Sequence, residues 1–104
     1  MLLAVDVGNT ETVVGLYGDS ELLDHWRIAT NAERTGDEHA MLLTQFLAQH
    51  GFTFEQVTGI AVSSTVPRLT ATMRRMAARY LSVPTVVVGP GVSSTLEALT
   101  TWSV

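Results

Sequence analysis

An α/β domain built on a mixed sheet is the fold class this sequence predicts, and three observations predict it. Three β-rich runs, separated only by short turns, fill residues 2 to 29. Two later stretches repeat apolar residues at helical spacing. One apolar run lies between those stretches and another follows them, giving the order β-β-β-α-β-α-β. An antiparallel meander followed by two crossovers, right-handed by the usual rule, makes a mixed sheet flanked by helices. A dinucleotide-binding unit would place a helix directly after its first glycine loop, whereas a strand follows here.

Leu2 to Val7 is apolar on both faces, as a central strand is. Thr12 to Tyr17 is β-rich, and Gly18-Asp19-Ser20 turns the chain into Glu21 to Ala29. In that third run Leu22, Asp24, Trp26 and Ile28 alternate with Glu21, Leu23, His25 and Arg27. Thr30 to Gly36 is polar and aperiodic and reads as a loop. Thr35 and Glu38 then fit a capping box, Ala40, Leu43, Phe46, Leu47 and His50 share a helical face, and Gly51 ends the helix. Val57 to Ser63 is an apolar strand running into Ser64-Thr65. Pro67 suits a first helical turn, and Leu69, Met73, Met76, Ala77 and Tyr80 mark the buried side of the second helix. Val83 to Val88 is the last strand, closed by Gly89-Pro90-Gly91. Residues 1–91 thus form one domain. Residues 92–104 are a Ser/Thr-rich tail with room for one short helix after Ser94.

The chain has 104 residues, enough for one small domain, and its 46% hydrophobic content supports a packed core. A net charge of −4 leaves no basic footprint for nucleic acid. All six basic residues are Arg, so the lysine of a Walker-type phosphate loop is excluded. The absence of Cys excludes disulfides, thiolate zinc sites and a cysteine nucleophile. Asp6 interrupts the N-terminal apolar run, which also lacks a basic flank, so no signal peptide is expected. No run is long enough for a membrane helix. The expectation is a cytoplasmic domain with no membrane or nucleic-acid partner.

The organising stretch is Asp6-Val7-Gly8-Asn9-Thr10, a turn between two apolar runs. Gly8 permits close backbone approach, and free N–H groups in such a turn make an anion nest. Asp6 suits Mg²⁺, whose usual ligands are one or two carboxylates, waters and phosphates. Asn9 and Thr10 add neutral donors. An ordinary hairpin uses the same residue types, and on composition alone the hairpin is preferred; the order of elements that follows favours the cradle. Ser63, Ser64 and Thr65 either face a ligand crevice at a strand end or cap the next helix. Arg68, Arg75 and Arg79 share a helix side and read as a solvated face rather than an anion patch. His25, His39 and His50 lack ligand spacing, Trp26 reads as packing, and Met41, Met73 and Met76 read as core filler.

The element order, with its cradle in the first hairpin, resembles one half of the actin-like ATPase and sugar-kinase fold, a ribonuclease H-like half-domain. Asp6-Val7-Gly8-Asn9-Thr10, Trp26-Arg27, Thr35-x-x-Glu38, Val62-Ser63-Ser64-Thr65-Val66-Pro67 and Gly89-Pro90-Gly91 together resemble the N-terminal half of type III pantothenate kinases, the Bvg accessory factor-like family. The resemblance covers roughly residues 1 to 91. It implies transfer of the ATP γ-phosphate to the hydroxyl of pantothenate, the first step of coenzyme A synthesis. It also implies Mg²⁺, a monovalent cation (K⁺ or NH₄⁺), and a homodimer. On this chain Asp6, Val7, Gly8, Asn9, Thr10, Glu11, Thr12 and Val13 would line the ATP phosphates, with Asp6 at the metal. Gly89 and Gly91 would lie near pantothenate. Glu11 departs from the family's usual uncharged or basic residue and is expected to point to solvent.

The resemblance stops after Gly91. The family's basic pantothenate loop and its Gly-Ala-Asp-Arg stretch have no counterpart in Val92-Ser93-Ser94-Thr95, so no residue matches the catalytic aspartate. A truncated kinase with weak or absent turnover is expected. The rival expectation is a non-catalytic interaction domain that associates through an exposed cleft face.

Overall fold

The computed structural model describes residues 1–88. Strands β1 (Leu2–Val7), β2 (Glu11–Gly18) and β3 (Glu21–Ala29) precede helix α1 (Gly36–Ala48). Strand β4 (Gly59–Ser64), helix α2 (Pro67–Met76) and strand β5 (Thr85–Val88) follow. The sheet order is β3-β2-β1-β4-β5, with β1 at its centre. The first three strands are antiparallel neighbours, whereas β1–β4 and β4–β5 are parallel pairs.

Strand alternation decides which face is buried. Leu3, Val5 and Val7 of β1 stand opposite Leu16, Val14 and Thr12 of β2. Leu3 and Val5 also lie beside Ile60 and Val62 of β4. These side chains share a core with Ala40, Leu43 and Leu47 of α1 and Leu69, Met73 and Met76 of α2. Both helices therefore cover the same face. Truncating a fully buried leucine such as Leu3 or Leu47 would cost about 2–5 kcal/mol.

The predicted capping box closes α1. Thr35 Oγ1 accepts from the Glu38 N–H at 3.2 Å, and Glu38 Oε1 accepts from the Thr35 N–H at 2.9 Å. At the other end Gly51 takes φ 75°. The Phe52 and Gly51 N–H groups reach the Leu47 and Ala48 carbonyls, a Schellman pattern that requires this left-handed position. Pro67 opens α2 behind Val66, an N-cap that makes no side-chain bond.

Several expectations need correction. Tyr80 is 38% exposed, and Leu81 takes the buried position expected of it. The cause is a π turn at Ala77–Leu81: the Ser82 N–H bonds to the Ala77 carbonyl at 2.9 Å, lengthening the repeat by one residue. Met41 is 65% exposed, because it lies one residue past the Ala40–Leu43–Leu47 stripe. His50 is exposed as well, being beyond the end of α1 at Ala48. The fourth strand starts at Gly59 rather than Val57, although Val57 is still buried. The last strand starts at Thr85, preceded by Pro84, which lacks an N–H but accepts from Ile60 N–H at 3.1 Å. In β3 a register shift puts Leu16 opposite Asp24 but Tyr17 opposite Leu22, which breaks the expected alternation at Leu22.

Candidate functional site

Strand β1 ends at Val7 and β2 begins at Glu11, so Gly8, Asn9 and Thr10 alone make the connection. The Gly8 N–H donates to the Glu11 carbonyl at 3.0 Å and closes the loop. A Cβ on residue 8 would lie 2.9 Å from that oxygen, so the loop's own closure demands glycine. Asn9 and Thr10 are exposed at the tip. The Thr10 carbonyl accepts from the Thr30 N–H at 2.9 Å, and the Thr12 and Thr30 hydroxyls meet at 2.8 Å. These bonds hold the loop against the residue that follows β3. The side chains of Val7 and Thr12 are buried in the core, so both residues face the loop only through their backbone.

The end of β4 meets this loop. Asp6 and Val7 of β1 are in register with Ser63 and Ser64. Ser64 Oγ donates to the Val66 carbonyl and accepts from the Val66 N–H, both at 2.9 Å, so its hydroxyl is spent on its own turn. Thr65 N–H donates to the Val7 carbonyl at 3.0 Å, and Thr65 Oγ1 donates to Asn9 Oδ1 at 3.2 Å. Neither hydroxyl caps α2. Ser63 is buried beside β1, and Thr65 belongs to the loop. The spacing of Thr65 from Asn9 in the chain gave no signal of that contact.

Charge gathers on the sheet face turned away from the helices. Asp6 is in register with Val13, which is in register with Arg27, so the three form one row across β1, β2 and β3. Two strand spacings separate Asp6 from Arg27, or about 10 Å. Glu11 shares this face with Val13 and pairs with Arg27, Oε1 to Nη1 at 2.9 Å. Glu11 is exposed to solvent, as expected, and its charge is also compensated by Arg27. Asp6 is half-buried at the loop's root.

The remaining polar residues lie elsewhere. Arg68 grips Glu33 with both terminal nitrogens, at 2.9 and 3.1 Å, and Arg79 pairs with Asp37 at 3.1 Å. Arg75 donates to Thr72 Oγ1 at 3.4 Å. Arg68 and Arg79 thus reach carboxylates outside α2 while Arg75 bonds within it, and the three do not make a common anion patch. His50 Nε2 lies 2.8 Å from Asp24 Oδ2, a carboxylate from β3 that sequence spacing did not bring near it. That bond holds the Asp24 carboxyl below its ordinary value. Trp26 stacks on Phe46 at 4.8 Å and donates to Gln49 Oε1, tying β3 to α1. His39 is buried, its Nδ1–H donating to the Thr35 carbonyl at 2.9 Å; burial lowers its pKa, and sequence reading gave it no role. Among the described residues no three His, Cys, Asp or Glu side chains gather as metal ligands. No helix among them is long and apolar enough to cross a membrane. Two shallow clefts of about 270 and 280 Å³ flank Asp37 and Tyr80, and neither is lined by the loop. Gly89 and Gly91 lie outside the described residues.

Two solved structures share the fold. YeaZ from Pseudomonas aeruginosa superposes with a TM-score of 0.60 at 17% identity, covering 85% of this chain and 44% of that one. RuvC from Thermus thermophilus gives 0.54 at 18% identity, covering 95% and 68%. At such identities the likeness establishes fold alone: an actin-like, ribonuclease H-like half-domain. Sequence relatives say more. The chain is 42% identical over 97 residues to a type III pantothenate kinase of Brevibacillus brevis, covering 93% of this chain and 38% of that protein. A type III pantothenate kinase of Myxococcus xanthus is 43% identical over 99 residues, covering 95% and 39%. The chain therefore spans about two fifths of the length of these relatives. The family model for type III pantothenate kinase matches residues 2–101, which takes in the loop, the meander that presents it and the strand end that meets it. This chain belongs to the type III pantothenate kinase family.

Proposed function

We propose that residues 1–88 form the phosphate-holding half of an ATP site in a kinase that phosphorylates pantothenate to 4′-phosphopantothenate, the first step of coenzyme A biosynthesis. The observation that carries this reading is the Gly8-Asn9-Thr10 loop. It is closed on Glu11 and braced by Thr65, at the strand ends where α/β sheets take their ligands. Phosphoryl transfer demands positioning and charge stabilisation more than covalent participation; with the Gly8 N–H spent on Glu11, the exposed Asn9 and Thr10 would be the loop's neutral donors. In this reading the pantothenate hydroxyl oxygen attacks the γ-phosphorus, the bond to the β-phosphate oxygen breaks, and ADP leaves. None of the described residues is assigned as the base that takes the hydroxyl proton.

The donor set suits Mg²⁺. Asp6 is one half-buried carboxylate at the root of a polyphosphate loop, and Mg²⁺ is commonly held by one or two carboxylates with substrate phosphates completing its shell. When bound, the ion would neutralise charge on the phosphate oxygens. A K⁺ or NH₄⁺ requirement, a homodimer and a cytoplasmic location belong to the same reading, and no described residue is assigned to the monovalent cation. Sedimentation of the chain with its remaining family length restored would test the dimer. Gly89 and Gly91 are proposed near pantothenate. Isothermal titration of the 104-residue chain with MgATP tests the site itself. Binding that an Asp6→Asn variant loses supports it, and a folded chain that binds no MgATP refutes it for this segment. Weak or absent turnover is expected of the segment alone.

A further inference from the structure

A cationic side chain strengthens a polyphosphate site beyond what a bound Mg²⁺ supplies, and this chain has no lysine for that role. Its six arginines are Arg27, Arg34, Arg68, Arg74, Arg75 and Arg79. Arg68 is held by both oxygens of Glu33, and Arg34 Nη1 donates to the Ala29 carbonyl. Arg74, Arg75 and Arg79 follow on α2 and its continuation, against the opposite face of the sheet. Arg27 alone stands in the row that holds Asp6, on the strand adjoining β2.

We propose that Arg27 is the cationic arm of the phosphate site and that Glu11 is its internal counter-ion, displaced when a polyphosphate binds. The inference rests on reading the first loop as a phosphate cradle. Glu11 carries both halves of the device. Its carbonyl closes the loop on Gly8, and its carboxylate holds Arg27 at 2.9 Å on the same face. The side chains of Arg27 and Glu11 are 41% and 49% exposed, so solvent screens the pair and exchange of its partner costs little. A phosphate offers the guanidinium two parallel oxygen acceptors and more negative charge than a carboxylate. Without a ligand, the pair holds Arg27 on Glu11, the residue whose carbonyl closes the loop. With one, Glu11 becomes a like charge next to phosphate and opposes binding. Glu11 thus sets affinity without being needed for it.

Tripolyphosphate and MgATP are the probes, titrated separately into the 104-residue chain and into Glu11→Gln, Arg27→Gln and Asp6→Asn variants. Glu11→Gln is expected to tighten tripolyphosphate about threefold, the scale of one exposed charge pair. Arg27→Gln is expected to weaken it roughly tenfold, the loss of one charge-assisted hydrogen bond. Arg27→Lys should recover only part of the loss, because lysine lacks the planar fork. Thermal melts confirm that each variant is folded. Arg27-dependent binding of tripolyphosphate without MgATP binding would uphold this proposal while the nucleotide reading fails. MgATP binding that needs Asp6 but is indifferent to Arg27→Gln and Glu11→Gln would overturn it and leave the nucleotide reading standing. A folded wild-type chain that binds neither probe would overturn both.

Discussion

The Thr65 hydroxyl donates to the Asn9 side-chain oxygen at 3.2 Å, joining the end of β4 to the loop after β1. This contact uses Asn9 Oδ1 as an acceptor, and the Asn9 amide NH₂ carries the side chain's donors. The backbone bond from Thr65 to Val7 survives any side-chain change at residue 65. Thr65→Val should therefore leave the fold intact and weaken MgATP binding by a factor of about five, the worth of one neutral hydrogen bond. Thr65→Ser should restore it. Equal affinity for all three chains, measured by titration, would remove Thr65 from the site.

Gly8→Ala should be the most damaging change in the loop. The new Cβ would meet the Glu11 carbonyl at 2.9 Å, a backbone atom that cannot swing aside, so the Gly8–Glu11 closure must open. A stability loss of roughly 1–3 kcal/mol is expected in urea unfolding, in the range for a steric clash that forces the backbone to shift. MgATP binding should fall with it. Wild-type stability in Gly8→Ala would mean that the closure is not formed in solution.

His39 predicts a pH response. Burial holds its ring below the ordinary histidine value of 6.5, and the smaller opposing effect of the Thr35 carbonyl does not cancel this. The folded chain stays neutral at His39 where the unfolded chain takes up a proton. Stability from this group is therefore complete above pH 6.5 and falls as pH drops below it. The thermal midpoint should decline from about pH 7 to about pH 5, the range in which histidines titrate, and His39→Gln should decline less. Parallel curves for the two chains would contradict the buried neutral ring.

The Arg68–Glu33 and Arg79–Asp37 pairs should contribute little. Their side chains are 61% and 75%, and 68% and 60%, exposed. Glu33→Gln should shift stability by no more than about 1 kcal/mol, and added salt should shrink the difference further. A larger loss that persists in high salt would show these links to be structural anchors of α2.

Local chemistry was the readable part of this sequence. Thr35 and Glu38 announce α1 because the capping box is a contact between residues three apart. Gly51 announces its end because the left-handed turn needs glycine. Leu2 to Val7 reads as a central strand because Leu3, Val5 and Val7 on one face and Leu2 and Ala4 on the other are apolar. Contacts between distant segments were not readable. The hydroxyl of Thr65 could cap a helix or reach a ligand with equal ease, and the sheet sent it to Asn9. Glu11 reads in sequence as a solvent-facing departure from the family, and only β2–β3 pairing brings Arg27 against it. Helical spacing in steps of three and four puts Tyr80 on the buried side, and the π turn after Met76 changes the step. Met41 failed for a simpler reason: its apolar character says nothing about which side of α1 it occupies.

The most direct test of the account is an amide-resolved nuclear magnetic resonance titration of the 104-residue chain with MgATP. The largest shifts should fall on Gly8, Asn9, Thr10 and Glu11, with Thr65 and the Arg27 side chain moving alongside, and Asp6→Asn should abolish them. Shifts centred instead on Thr35, Asp37 and Tyr80 between α1 and the turn after α2, with the loop silent, would contradict it.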